Sequence, residues 1–283
     1  PTGSDTAYRY TGAPIFIDYD TTITAAAQVD GVFGDPLSFD YRISPAVTAA
    51  PAAGSYDAPI SVSLETQDGY QIYYTTNGYQ DPREDGTLYS GPIEIFKTTT
   101  LKVSSTANGG ESWSDVVEFQ YGLPEITITP SRPSGACTEP FQLSLAYSPD
   151  VDYLDLSYQI SGSYQSQPYT GPIEIYKTTG ITVYARYNGN TVADTKLEYT
   201  FPEPVITAQP EAGSYGSIQN VSLSCEPSFY ELYYTLDGSD PAENGIPYTA
   251  PFELDRTTDV TVCAKYGQDV VARESFSYSM NLV

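Results

Sequence analysis

Hydrophobic and polar residues alternate with a period of two along most of the chain, the spacing that puts every second side chain on one face of a β-strand. Ile60, Val62 and Leu64 share a face, Ile72 and Tyr74 carry the pattern onto the next segment, and Leu101 and Val103 repeat it later. Clusters of Gly, Pro, Asn and Asp break the alternation after a few residues each time, as turns do. The pattern predicts short antiparallel strands in two facing sheets, with scarcely any helix.

The alternation is itself repeated. Pro92, Pro172 and Pro251 sit in "YSGPIEI", "YTGPIEI" and "YTAPFEL", at spacings of 80 and 79 residues, and Pro14 in "YTGAPIFI" lies 78 residues upstream of Pro92. Behind each comes a threonine pair with an alternating strand, beginning at Thr21, Thr98, Thr178 and Thr257, then an aromatic-rich closing strand ending at Tyr41, Tyr121, Tyr199 or Tyr278. The upstream half recurs from Pro51 and from Pro210; the middle copy from Pro130 is divergent, with Cys137 where Tyr56 and Tyr215 stand. Periodicity of this kind marks tandem modules. The boundaries read as 1–42, the second half of a truncated repeat, then 43–122, a divergent 123–201, and 202–283. The proline-bearing joints "GLPEITITP" and "FPEPVITAQP" leave almost no free linker, so the modules are expected end to end.

The stretch "LYYTLDGSDP", residues 232–241, runs from a strand into an acidic turn. Asp237-Gly238 combines a side chain that folds onto its own backbone with a residue that tolerates positive φ, and Asp240-Pro241 fixes the exit. The copy at Asn77-Gly78-Tyr79-Gln80-Asp81-Pro82 keeps the turn while changing its acids, a remnant stands at Gly3-Ser4-Asp5, and the third module lacks the motif. A joint is the favoured reading over a ligand site. Calcium held by Asp237, Asp240 and Glu243 is the alternative, although these lack the regular spacing of a calcium loop.

Tyr-Tyr-Thr-x-Asp-Gly-Ser-Asp-Pro, then Tyr-Thr-x-Pro-Phe, then Thr-Thr and an alternating strand, together resemble the chitobiase/β-hexosaminidase C-terminal-domain repeat. The resemblance covers almost the whole chain, is strongest in the second and fourth modules, and extends to "ESWSDVVEFQY" with Trp113. It implies an all-β fold of tandem immunoglobulin-like antiparallel sandwiches. It further implies an accessory role beside bacterial glycoside hydrolases or in large surface proteins, with catalysis carried elsewhere.

Composition narrows the chemistry. The 283 residues hold 12 Lys and Arg against 36 Asp and Glu, a net charge of −24, and no histidine. Such a surface repels phosphate backbones and anionic lipids, which argues against nucleic-acid and membrane-surface partners. No apolar run approaches the ~20 residues of a spanning helix. Triads that need histidine are excluded, zinc and iron–sulfur spacings are missing, and paired-carboxylate hydrolysis needs a cleft that thin sandwiches are not expected to offer. No cofactor is expected. Three cysteines cannot form a disulfide framework, and strand parity sets Cys225 and Cys263 on opposite faces, so free thiols are expected. The reading is therefore a non-catalytic spacer or accessory region on a bacterial surface or outside the cell. The alternative is an adhesive module for a glycan or protein, with Trp113, Tyr79 and Tyr164 as candidate contacts.

Residues 1–42 carry only half a repeat, and half a sandwich cannot bury its inner face. Ile15, Ile17, Ile23 and Phe39 are expected to stand in water unless an upstream fragment left by cleavage, or a neighbouring chain, completes the module.

Overall fold

The computed structural model describes residues 8–17, 21–41, 45–107, 110 and 112–281. The chain forms two compact units, Pro1–Glu125 and Ile126–Val283. Both are built from antiparallel sandwiches, and among the described residues no helix is long and apolar enough to cross a membrane. The turn remnant Gly3-Ser4-Asp5 lies outside the described residues.

In the first unit, one sheet of the second module has the order Ile93–Ile95, Ile60–Glu65, Thr48–Ala50. The facing sheet runs Gly54–Ser55, Val117–Gly122, Thr99–Ala107, Gln71–Thr75, Thr87–Leu88. The alternate residues Val62, Leu64, Ile93 and Ile95 meet Ile72, Leu101, Val103 and Tyr121 in a single core. The third and fourth modules, in the second unit, repeat this plan: Asn190–Thr200 and Asp269–Met280 close their larger sheets against Thr179–Tyr187 and Thr258–Tyr266.

The closing tyrosine of each complete module is almost fully enclosed: Tyr121 and Tyr278 are 1% exposed and Tyr199 0%. Each hydroxyl donates to a carbonyl of the chain's entry into the module: Pro51 at 2.9 Å, Arg132 at 2.6 Å, Pro210 at 2.7 Å. The backbone of the same residue pairs antiparallel with a threonine and parallel with a glycine, as Tyr278 does with Thr258 and Gly213. One residue thus ties the second strand of its module to the last. A second tyrosine leans on it in two modules, Tyr56 on Tyr121 and Tyr215 on Tyr278; where Cys137 takes that place, Phe141 meets the Tyr199 ring edge-on at 5.1 Å.

The threonine pairs serve the same closure. The first hydroxyl of each pair bonds at or just past the end of the closing strand: Thr98 accepts from Leu123 N, Thr178 from Phe201 N, Thr257 from Met280 N. The second donates backward, Thr99 to Lys97 O and Thr179 to Lys177 O at 2.7 Å. The register aligns Thr21 with Thr99 rather than Thr98, because Thr21 faces Tyr41 as Thr99 faces Tyr121.

Residues 21–41 keep that register without its consequence. Thr21–Ala25 pairs with Leu37–Tyr41, yet Tyr41 is 46% exposed and Phe39 49%. Ile15 is exposed too, while Ile17 and Ile23 are half-buried.

Sequence alternation set Cys225 and Cys263 on opposite faces, and all three cysteines are free. Both are nonetheless buried, Cys225 in the core and Cys263 under the outer face of its sheet. The cover is a feature the alternation did not predict: single helical turns, α1 (Pro82–Asp85) packed on Gln71–Thr75 and Thr99–Ala107, and α2 (Pro241–Asn244) packed on Glu231–Thr235 and Thr258–Tyr266.

Burial raises the pKa of Tyr121, Tyr199 and Tyr278 above the ordinary 10.0. A raised folded pKa means stability fully present below the unfolded value and lost as pH rises through the folded one. Alkaline titration should therefore show these phenols ionising only with cooperative unfolding, read by tyrosinate absorbance against circular dichroism. Tyr278→Phe should cost the fourth module about 1 kcal/mol through the lost hydroxyl bond. Tyr278→Ala should cost about 3–5 kcal/mol through the cavity, both measured by denaturant unfolding.

Candidate functional site

The acidic turn begins at the threonine of the Tyr-Tyr-Thr stretch. Thr75 and Thr235 are buried at the strand end and donate to the turn, to Gln80 O at 3.1 Å and Ser239 O at 2.7 Å. Asp237 accepts from Ser239 N at 3.0 Å and from Ser239 Oγ at 2.6 Å, and Gly238 sits at φ 79°. Asp240 caps α2 by accepting from Ala242 N at 2.8 Å and also takes the Arg273 guanidinium, which with that amide lowers its pKa. Asp81 caps α1 in the same way, and the Arg83 side chain and amide hold its carboxyl down to about 2.

The acids that could have taken calcium are thus engaged locally, Asp237 by a serine and Asp240 by an amide and an arginine, while Glu243 points to solvent. Among the described residues no three Asp, Glu, Cys or His side chains converge as a metal cluster. The helical turn instead acts as a lid. Lys265 Nζ reaches Ala242 O at 2.6 Å, and Gly245 lets α2 approach Tyr233: a Cβ there would stand 2.9 Å from the tyrosine's own.

Beneath the lid, cross-strand pairs combine one large and one small residue: Tyr73 faces Ser104 and Tyr233 faces Cys263. The third module, which lacks the turn motif, reverses the pair, with Ser157 facing Tyr184. The Tyr184 ring lies under the Arg186 guanidinium, 4.8 Å from its centroid.

That module also holds a cleft of about 1180 Å³ between Leu145–Ser148 of one sheet and the edge Gln167–Pro168 of the other. Tyr147, Asp150, Asp155, Ser157, Tyr169 and Arg186 contribute to its lining. The matching hollow of the fourth module measures about 480 Å³ and has Tyr233 where the cleft has Ser157. Ser157 Oγ and Arg186 Nε are enclosed with no hydrogen-bond partner in the protein. The Tyr147 hydroxyl donates to Val151 O at 2.6 Å; burial, then Asp150, Asp155 and Asp152, push its pKa up.

The three aromatics named from sequence do not form one platform. Tyr164 is fully exposed and Tyr79 80% exposed, each on its own turn, whereas Trp113 is half-buried with its ring edge-on to Tyr73 at 5.2 Å. Sequence reasoning missed the cleft; the signal available was the serine at 157 in place of the first tyrosine of the pair.

It also missed the aromatic joint between the third and fourth modules. Tyr176 stacks on Tyr266 with centroids 4.2 Å apart and planes 13° from parallel. Tyr230 donates to Tyr176 O at 2.9 Å, and Tyr266 to Glu174 at 2.8 Å. Phe229 packs against both module cores and meets Phe201 edge-on at 6.2 Å. Phe229 stands where the second module has Gly69, a departure visible in the repeats.

Gly238 has no atom near its would-be Cβ, so the cost of a side chain there is conformational. Gly238→Val should destabilise the fourth module by about 1 kcal/mol or more. Calcium should leave its melting temperature unchanged; a marked rise would make the turn a site.

Comparison with known proteins places these modules. Residues 51–118 and 210–269 match the chitobiase/beta-hexosaminidase C-terminal domain. No curated protein matches the chain. Among solved structures, similarity extends to three N-terminal domains of the bacteriophage RB49 Highly Immunogenic Outer Capsid protein. The identity is 11%, over 85% of this chain and 99% of that one, with a TM-score of 0.26. The N-terminal four immunoglobulin domains of Dscam1 isoform 6.44 are 12% identical over 86% and 75% of the two chains, with a TM-score of 0.24. The second and fourth modules thus each carry a match to the chitobiase/β-hexosaminidase C-terminal domain, within a tandem of immunoglobulin-like sandwiches.

Proposed function

We propose that this chain is a non-catalytic accessory spacer of a larger bacterial surface protein or secreted carbohydrate-active enzyme, holding what it connects at a set separation and orientation. The observation that carries the reading is the joint between the third and fourth modules. A flexible tether would be polar and free of contacts. This one is apolar and aromatic at its centre, with Phe229 shared by two cores. Around that centre, Asp269 accepts from Tyr176 and, at 3.0 Å, from Lys177. The ion pair is half-exposed and contributes little by itself. The stacked rings and the buried Tyr230 hydroxyl define the angle. A role outside the cell accords with the acidic surface, which keeps an extended protein soluble.

Spin labels on exposed Tyr164 and Glu253, one in each module, should give a narrow distance distribution in the full chain. Phe229→Ala with Tyr266→Ala should broaden it; a broad distribution in the parent chain would remove the spacer reading. Bonds from Tyr176 and then Lys177 lower the pKa of Asp269, so its contribution is present above the ordinary carboxylate value of 3.8 and lost as pH falls through the depressed one. The same measurement should show the joint loosening only below that range.

A further inference from the structure

We propose that the cleft of the third module binds a neutral, hydroxyl-rich carbohydrate. The site is separate from the turns and from the joint, and it occurs where the repeat departs from its own pattern. The corresponding hollow of the fourth module, with Tyr233 at the place of Ser157, measures about 480 Å³, whereas the third module's cleft of about 1180 Å³ is above the ~300–1,000 Å³ of most small-ligand pockets and suited to an oligomer.

The lining specifies the class. Buried polar atoms are normally hydrogen-bonded, and unpaired ones carry a desolvation cost. Here Ser157 Oγ and Arg186 Nε have no protein partner, and Asp155 faces Arg186 across the strands without a salt bridge between them. A ligand with many hydroxyls supplies a donor to each carboxylate and an acceptor to the guanidinium. Leu154, Tyr147 and Tyr169 add apolar surface for the C–H face of a sugar ring. An anionic polymer fits poorly: Asp150 and Asp155 stand in the cleft beside the one guanidinium, on a chain of net charge −24. Recognition by strand addition also fits poorly, because the edge amide of Leu145 already donates to the Tyr169 hydroxyl at 3.0 Å.

The test titrates the full chain by calorimetry with neutral cello-, chito- and malto-oligosaccharides and with an oligogalacturonate as the acidic comparison. At least one neutral oligosaccharide should bind. Ser157→Tyr, which installs the residue of the fourth module, and Arg186→Gln should each weaken it about tenfold or more. Ile218→Ala, at an exposed position of the fourth module away from the cleft, should leave it unchanged. The proposal is overturned if no neutral oligosaccharide binds up to millimolar concentration, if the oligogalacturonate binds more tightly, or if affinity survives in variants that melt as folded proteins. Should Ser157→Tyr fail to fold, Arg186→Gln decides the matter alone.

Discussion

Each complete module depends on one enclosed tyrosine. Tyr121, Tyr199 and Tyr278 stand where the last strand passes the second, and a phenol meets both demands of that place. The ring fills the end of a thin core, and the hydroxyl satisfies a carbonyl that the entering chain would otherwise leave unpaired. Small sandwiches have little core to spare. Residues 21–41 show what the ring requires: Tyr41 holds the same register against Thr21, and, with no facing sheet over it among the described residues, the ring stays half in water.

Volume is conserved where sequence is not. On the outer face of the larger sheet, Tyr73 and Tyr233 sit opposite Ser104 and Cys263 under a helical turn; without that turn, Ser157 sits opposite Tyr184. The exchange keeps one large side chain in each pair, as close packing demands. It moves the bulk from the edge-side strand to its inner neighbour, and the space vacated beside the edge belongs to the cleft lining.

The joint in the second unit follows the same logic. Phe229 extends the fourth module's core to Phe201, which belongs to the third. Apolar burial continues across the module boundary, while the exposed Lys177–Asp269 pair fixes detail at its rim.

The sequence alone determined the strands, the tandem plan, the turn at Gly238 and the absence of imidazole chemistry, because each rests on local rules: period-two alternation, the φ tolerance of glycine, the titration of side chains. It also exposed the third copy as the divergent one. Tertiary structure alone decided that α1 and α2 lie over Ser104 and Cys263, that Ser157 borders a cleft, and that Tyr176 reaches Tyr266. Those pairings join residues up to 92 or 93 positions apart, such as Glu174 with Tyr266 and Tyr176 with Asp269. Alternation says which face a side chain takes. What stands opposite that face depends on how sheets and modules pack, and no local rule carries that information.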